Sequence, residues 1–144
     1  MKNTAKMNEY LSNLAILNPK LHNLHWNVVG KQFVQIHEFT ESLYDDFFAK
    51  YDDVAELMKM QGEEPLVKAA DYLKHATIQE LDGKPFSCTE VLEIVQADVQ
   101  KMKDLAVELR NEADDAGDFE TVALFEEHVA GYSKNLWFLR AMMA

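Results

Sequence analysis

The chain has 144 residues, 48% of them hydrophobic and 27% charged, so it can bury a core and is neither disordered nor a membrane protein by composition. The formal net charge is −11, the opposite of the basic surface that nucleic-acid-binding proteins present to phosphate. A single cysteine (Cys88), the absence of an apolar run of about 18 residues and the absence of a signal-peptide pattern predict a cytoplasmic protein without a membrane helix.

The first predicted element is a long helix from about Asn3 or Thr4 to Val29, which ends at Gly30. Proline follows an asparagine within this segment, a typical N-cap and first-turn pair, so we expect a kink or a restart at Pro19. The chain has only 5 Gly and 3 Pro, which favours helix throughout. Because no segment alternates with period two between turn signals, we expect no strands.

The second predicted helix runs from Gln32 to Met60 and stops near Gly62. A connection of more than 20 residues follows, too long for an unstructured loop in a compact domain. Its tract LVKAADYLKHA has helical spacing and predicts a short extra helix, with Leu66 and Leu73 on one side.

The third predicted helix begins after Ser87, which forms a capping box with Glu90, and it ends in the tract NEADDAGD. The fourth begins with Asp118 as its N-cap and continues to the C-terminus. Two helical hairpins joined by one long crossover predict an all-α, ferritin-like four-helix bundle, formed as a single domain by residues 1–144.

Two pairs of potential metal ligands lie on the second predicted helix. His37 and Glu41 are four residues apart, and so are Asp52 and Glu56, so that each pair shares one helical face. Imidazole combined with carboxylates suits iron, manganese or zinc. Each pair could therefore contribute to a metal site.

One helix cannot supply both pairs to the same metal. His37 and Asp52 are 15 residues apart, which is about 22 Å along a helix, with an angular offset of about 60°. Two copies of the helix packed antiparallel about a two-fold axis would bring the unlike pairs together twice. His25 would join them, because it precedes Gly30 by five residues and His37 follows Gly30 by seven. The predicted site consists of His25, His37 and Glu41 from one chain with Asp52 and Glu56 from the other.

The tract LHNLHWNVVGKQFVQIHEFTESLYDDFFAKYDDVAE resembles the ferroxidase signature of the Dps family, the mini-ferritins named "DNA-binding protein from starved cells". The tracts PLVKAADYLKHATIQE and LWFLRA are similar to the family's short crossover helix and last helix. The family pattern falls on His25, Trp26, His37, Glu41, Asp52 and Glu56. Many members have Asp where this chain has Glu41, which is one methylene longer, so we expect a changed metal–metal distance or occupancy of the second iron position.

The resemblance implies a hollow dodecamer, built from two-fold dimers, that oxidises Fe(II) at two-metal sites with hydrogen peroxide and stores ferric mineral. It also implies that Trp26 is an aromatic near the metals and not a ligand. Acids near the turn between the last two helices line iron-entry pores in the family. Candidates here, for which helix capping is the other interpretation, are Asp114, Asp115, Asp118 and Glu120.

The remaining histidines have simpler interpretations. His22 is expected to face solvent or an interface, although it lies three residues before His25. His75 and His128 lack an acid and a second histidine at matching spacing, so they are expected at the surface or in packing.

Two other functions stay open. One is a DNA-binding, nucleoid-compacting member of the family, but the first few residues of the chain offer only Lys2 and Lys6. Twelve chains would carry on the order of −130 charges, which predicts weak or no DNA binding at neutral pH. The other is a metal-free helical interaction protein.

Overall fold

The computed structural model describes residues 3–144, and over this range the chain forms five α-helices and two short β-strands. The helices are α1 (Thr4–Asn27), α2 (Phe33–Met60), α3 (Ala69–His75), α4 (Cys88–Asp115) and α5 (Phe119–Met143), and the strands are β1 (Val28–Val29) and β2 (Phe86–Ser87). Helix α1 packs on α2 and α4 packs on α5, while α3 lies in the crossover against α1. This is the predicted all-α, ferritin-like arrangement of two hairpins and one long connection.

The predicted helix starts are confirmed by their caps. Ser87 Oγ accepts the Glu90 N–H at 3.1 Å, and Glu90 Oε1 accepts the Ser87 N–H at 3.3 Å, which completes the capping box of α4. Asp118 caps α5 by accepting the Thr121 N–H at 3.3 Å. None of the helices in residues 3–144 is long and apolar enough to cross a membrane.

The expectation that the chain forms no strands is wrong at four residues. Val28 and Val29 leave the helix before the turn at Gly30 and pair in parallel with Phe86 and Ser87. As a result α1 ends at Asn27, two residues earlier than predicted. Valine is β-branched and fits extended backbone well, but only the folded chain brings its pairing partner, 58 residues away, within reach.

The prediction of a kink or restart at Pro19 is wrong as to the restart, because α1 is one helix from Thr4 to Asn27. Proline removes one backbone donor, which is a local cost. Ile16 and Leu17 before it and Leu21 after it are buried in the core. Their packing holds both halves of the helix in the core and outweighs the local preference.

The short crossover helix is confirmed, but its buried residue does not come from the side that carries Leu66 and Leu73. Tyr72 is the buried residue of α3, whereas Leu73 is 58% exposed. The Tyr72 hydroxyl donates to the Leu66 carbonyl at 2.7 Å and lies 2.7 Å from the Tyr51 hydroxyl of α2. These hydrogen bonds satisfy the Tyr72 hydroxyl and so allow its ring to be buried. The spacing of hydrophobic residues in the sequence does not reveal such partners.

A polar cluster is enclosed in the otherwise apolar core. Tyr10 of α1 places its hydroxyl 2.8 Å from His128 Nδ1 and 2.5 Å from the Tyr132 hydroxyl, and all three side chains are at most 2% exposed. The expectation that His75 and His128 lie at the surface or in packing is confirmed, since His75 is exposed and His128 is buried. Burial, assisted by the nearby Lys50 ammonium, lowers the pKa of His128 from 6.5 to about 3.

This depressed pKa predicts acid sensitivity. Neutral His128 stabilises the fold fully above pH 6.5, and this stabilisation is lost as the pH falls from 6.5 through about 3, at no more than about 1.4 kcal/mol per pH unit. The substitution His128→Gln removes the titration, so its free energy of unfolding in urea should fall less steeply across this interval. His75→Gln, at an exposed site, is the control and should follow the unmodified chain. Parallel loss of stability in all three proteins would contradict the prediction.

Candidate metal centre

The hairpin between α1 and α2 brings two predicted ligands face to face. His25 lies near the end of α1 and is 5% exposed, and His37 lies on the second turn of α2. Their ring centroids are 3.6 Å apart, and the ring planes differ by only 13°. The structure therefore brings together the two histidines that the sequence places at similar distances before and after Gly30.

Each histidine is held by the backbone of the other. His25 Nδ1 lies 2.6 Å from the His37 carbonyl oxygen, and His37 Nδ1 lies 2.8 Å from the His25 carbonyl oxygen. Because a carbonyl only accepts, both Nδ1 atoms carry hydrogen and donate. A neutral imidazole in this tautomer has its free electron pair on Nε2. The reciprocal hydrogen bonds thus fix both rings and leave Nε2 of each as the atom able to bind a metal.

The surroundings of His25 keep its ring neutral. Burial lowers the pKa of the His25 imidazole, so that the metal-binding form prevails at neutral pH. Thr40 Oγ1 lies 3.1 Å from His25 Nδ1 and itself donates to the Ile36 carbonyl at 2.8 Å. A second hydrogen-bonded group therefore steadies the same ring.

Glu41 follows His37 by one helical turn and is exposed at the same end of α2. The Tyr44 hydroxyl donates to Glu41 Oε1 over a long 3.4 Å, and the Tyr44 ring stacks on His22 at a centroid distance of 3.8 Å. His22 is half-buried, and its Nδ1 donates to the Asn18 carbonyl at 2.7 Å. The sequence prediction missed Tyr44, although its position three residues after Glu41 on one helical face was the available signal.

A group of carboxylates occupies the opposite end of α2. Asp52, Asp53 and Glu56 are exposed, and one oxygen of each lies within 4.8 Å of the others. Asp52 and Glu56 come together as their spacing predicted. Asp53, the residue directly after Asp52, is also exposed and adds a third carboxylate to the same group.

A single chain does not unite the two halves. Helix α2 is unbroken from Phe33 to Met60, so the 15 residues between His37 and Asp52 span about 22 Å. Among residues 3–144, the group of at least three His, Cys, Asp or Glu side chains close enough to share a metal is the carboxylate group alone. Each end of α2 therefore presents an incomplete ligand set.

Large apolar side chains border the histidine end without being covered. Trp26 is 68% exposed, Val34 is 57% exposed and Phe33 is 39% exposed. The Trp26 ring also lies 5.5 Å from the His22 ring. Exposed apolar groups around polar ligands are typical of a surface that another protein covers.

The four candidate pore acids lie around the turn between α4 and α5. Asp118 is occupied as a helix cap, and its Oδ1 also accepts from Gln61 Nε2 at 2.8 Å. Asp114 pairs with Arg110 at 3.6 Å, while Asp115 and Glu120 are exposed. Capping is thus confirmed for Asp118, and a role in iron entry stays a prediction for this group.

Comparison with known proteins places this chain in a family. The Ferritin-like domain family matches residues 4–144. The chain is 32% identical over 129 residues to a DNA protection during starvation protein of Helicobacter pylori, covering 90% of each, and 34% identical over 137 residues to one of Brevibacillus brevis, covering 95% of this chain and 91% of the relative.

Solved structures of related proteins have the same fold as this chain. A crystal structure of Helicobacter cinaedi CAIP superposes with a TM-score of 0.95 at 34% identity, covering 99% of this chain and all of the other. A Dps protein from Bacillus brevis superposes with a TM-score of 0.92 at 32% identity, covering 98% of this chain and 94% of that one.

The turn that holds the two histidines together predicts a sensitive position at Gly30. Its φ of +134° is a conformation open only to glycine, and an added Cβ would lie 2.8 Å from Cys88 Sγ. Gly30→Ala should therefore lower the free energy of unfolding by about 1–3 kcal/mol and weaken metal binding through the displaced histidines. Urea unfolding and calorimetric Zn²⁺ titration measure the two effects.

Gly62→Ala supplies the control. Gly62 also has a positive φ, of 77°, but a Cβ added there would meet no other atom within 4 Å, and the residue is remote from both histidines. The substitution should destabilise by about 1 kcal/mol and leave Zn²⁺ affinity unchanged. Equal loss of affinity in the two variants would show that the turn at Gly30 does not position the ligands.

Proposed function

Because this chain belongs to the Dps family of ferritin-like proteins, we propose that it is a ferroxidase and iron-storage protein whose oxidation sites are shared between two subunits. The reciprocal Nδ1 hydrogen bonds of His25 and His37 carry the proposal, because they leave two imidazole nitrogens free for a metal. A carboxylate pair of matching ligand type stands at the other end of the same helix.

A two-fold dimer completes both half-sites at once. When α2 packs antiparallel to the α2 of its partner, the histidine end of each copy meets the carboxylate end of the other. The exposed apolar groups Trp26, Phe33 and Val34 then gain a cover, which supports the same face as the interface. Iron is held by His25, His37 and Glu41 of one subunit with Asp52 and Glu56 of the other.

The ligand set suits oxidation of Fe(II). Three carboxylates favour the more highly charged Fe(III) and so make Fe(II) easier to oxidise. Hydrogen peroxide needs two electrons and two protons to become two molecules of water, and two Fe(II) ions in one site, bridged by Glu56, supply both electrons. The paired oxidation consumes ferrous iron and peroxide without releasing a one-electron product. Trp26 stands close enough to His22 and His25 to meet stray oxidising equivalents.

Storage follows from the family arrangement. We propose a hollow dodecamer in the cytoplasm whose cavity receives the ferric product as mineral. The net charge of −11 per chain attracts cations to its surfaces, and Asp114, Asp115 and Glu120 are the accessible acids for an entry path.

The two alternatives have less support. A metal-free interaction protein has no use for two histidines whose Nε2 atoms are kept free, or for a carboxylate group at the matching position. DNA contact is opposed by the charge, and of the two lysines near the start of the chain, Lys6 is engaged by Glu108 and Glu112 at 3.1 and 2.6 Å, while Lys2 lies outside the described residues.

Mixing two inactive variants tests the shared site. His25→Ala/His37→Ala and Asp52→Asn/Glu56→Gln should each lose iron-dependent peroxide consumption. Dissociated, mixed in equal amounts and reassembled, they should regain about a quarter of the unmodified activity, because half of the dimers are mixed and each mixed dimer holds one intact site. Peroxide consumption and the absorbance of ferric product measure the recovery.

The controls separate the possible failures. Glu38→Gln, at an exposed residue beside His37, should keep full activity. Mixed variants that stay inactive, while reassembled unmodified protein is active, would show that the site is not shared. A His25→Ala/His37→Ala protein that oxidises iron at the normal rate would show that the ligand assignment is wrong.

Weak or absent DNA binding is a separate prediction. At neutral pH and physiological salt, the assembled protein should not retard linear duplex DNA in a gel, because both surfaces are negative. Retardation that disappears on raising the salt would contradict this and favour the nucleoid-binding alternative.

A further inference from the structure

The enclosed cluster of Tyr10, Tyr132 and His128 has no part in the oxidation site, yet it places three reactive groups in one hydrogen-bonded chain. The Tyr132 hydroxyl meets the Tyr10 hydroxyl at 2.5 Å, and the Tyr10 hydroxyl meets His128 Nδ1 at 2.8 Å. Phe125 and Phe47 close it with edge contacts to Tyr10 and Tyr132, at centroid distances of 5.1 and 5.7 Å. Two phenols and an imidazole are thus sealed from water.

The cluster is not built to bind metal. Di-iron sites inside ferritin-like bundles use a Glu three residues before each core histidine. Here the residue three before His128 is Phe125, which is fully buried, and the oxygen neighbours are phenols and not carboxylates. The ammonium of Lys50, whose Nζ lies 5.5 Å from the centroid of the Tyr132 ring, would repel a cation.

The cluster lies between the two half-sites of its own subunit. Phe47 of α2, which contacts Tyr132, follows Glu41 by six residues and precedes Asp52 by five. These separations are about 9 Å and about 8 Å along the helix axis. Along the α2 axis, Phe47, which contacts Tyr132, is therefore about equally far from Glu41 and from Asp52.

We propose that Tyr10, Tyr132 and His128 form an oxidisable site that gives one electron to radicals produced at the iron sites and so protects the ligands. The inference rests on the proposed function, since it needs iron and peroxide to meet at the ends of α2. It assigns the core cluster a chemical task distinct from packing.

The proposed reaction moves one electron and one proton. A lone Fe(II) reduces hydrogen peroxide to hydroxide and a hydroxyl radical, and becomes Fe(III). One electron then passes from Tyr10 to that radical, which becomes a second hydroxide. The phenolic proton of Tyr10 moves along its hydrogen bond to His128 Nδ1, so that the products are a neutral tyrosyl radical and an imidazolium. A second reduced iron returns the electron, and the proton moves back to the oxygen.

The surroundings set the starting protonation states for this exchange. A phenol loses an electron readily only when its proton can leave at the same time. The neutral imidazole of His128, already hydrogen-bonded to the Tyr10 hydroxyl, can accept that proton. Burial keeps His128 neutral and raises the pKa of Tyr10, so that donor and acceptor start in the required protonation states. Exclusion of water then keeps the radical from reacting further.

A second tyrosine pair in the same chain provides a matched comparison. The hydroxyls of Tyr51 and Tyr72 are also hydrogen-bonded, at 2.7 Å. Tyr51 is only half-buried, and neither hydroxyl has a histidine partner among the described residues. The two pairs differ in the histidine and in burial, the two features to which the proposed reaction is assigned.

The test is freeze-quench electron paramagnetic resonance on the assembled protein, loaded with less than one Fe(II) per site and mixed with excess hydrogen peroxide. A tyrosyl signal should appear, and tyrosine deuterated on the ring should narrow it. Tyr10→Phe/Tyr132→Phe should lose the signal, and His128→Gln should lose it although both phenols remain. Tyr51→Phe/Tyr72→Phe should retain it. All variants should keep the normal rate of iron oxidation at full loading.

The outcomes are separable. The inference would be wrong, and the proposed function intact, if iron oxidation were normal while Tyr10→Phe/Tyr132→Phe kept an unchanged tyrosyl signal. The same would hold if the signal were lost only in Tyr51→Phe/Tyr72→Phe. Absence of iron oxidation in the unmodified protein would overturn both. Thermal unfolding of each variant shows whether signal loss comes from a collapsed core. It should remain cooperative, because Phe keeps the tyrosine ring and Gln keeps a polar side chain beside Tyr10.

Discussion

The length of one unbroken helix is the constraint on which the rest of this structure depends. Helix α2 has 28 residues and keeps His37 and Asp52 about 22 Å apart, too far for any shared metal. Neither end of the helix has a complete ligand set, so the proposed chemistry requires a second copy of the chain. Exposed apolar residues are expected around the histidine end, because the surface that completes the proposed site also has to stabilise the dimer.

Within each half-site the backbone provides the rigidity. His25 and His37 bind each other's carbonyls across a turn that only glycine at position 30 can form, so the loop conformation and the ligand tautomers are set by the same few atoms. The carboxylate end is the opposite case, with exposed side chains that the chain itself does not fix. In the proposed site, a rigid, neutral histidine half and an adaptable anionic half would together hold iron in either charge state, with its position defined by the histidines.

The core shows how one fold separates two kinds of polar chemistry. The proposed ligands lie at the end of α1 and toward the two ends of α2, where a partner and incoming ions can reach them, while Tyr10, Tyr132 and His128 are enclosed between α1 and α5. Enclosing three polar groups costs desolvation, which their mutual hydrogen bonds offset. A ferritin-like bundle of this size could be filled with apolar side chains alone, so the presence of a hydrogen-bonded polar cluster supports a task for it beyond packing.

The sequence by itself determined the four long helices, the capping box of Ser87 and Glu90, and the pairing of each ligand with another one turn away. These are local properties, set by residues three or four apart. The same arithmetic predicted that one chain cannot complete the site, and α2 is indeed continuous from Phe33 to Met60. Tertiary structure decided what depends on residues far apart in the chain. It paired Val28 with Phe86, kept α1 continuous through Pro19 as one helix, and turned Tyr72 inward in place of Leu73. It also chose the Nδ1 tautomers of His25 and His37 and brought Tyr10 to His128, because hydrogen-bond partners 12 and 118 residues apart meet only after the helices have packed.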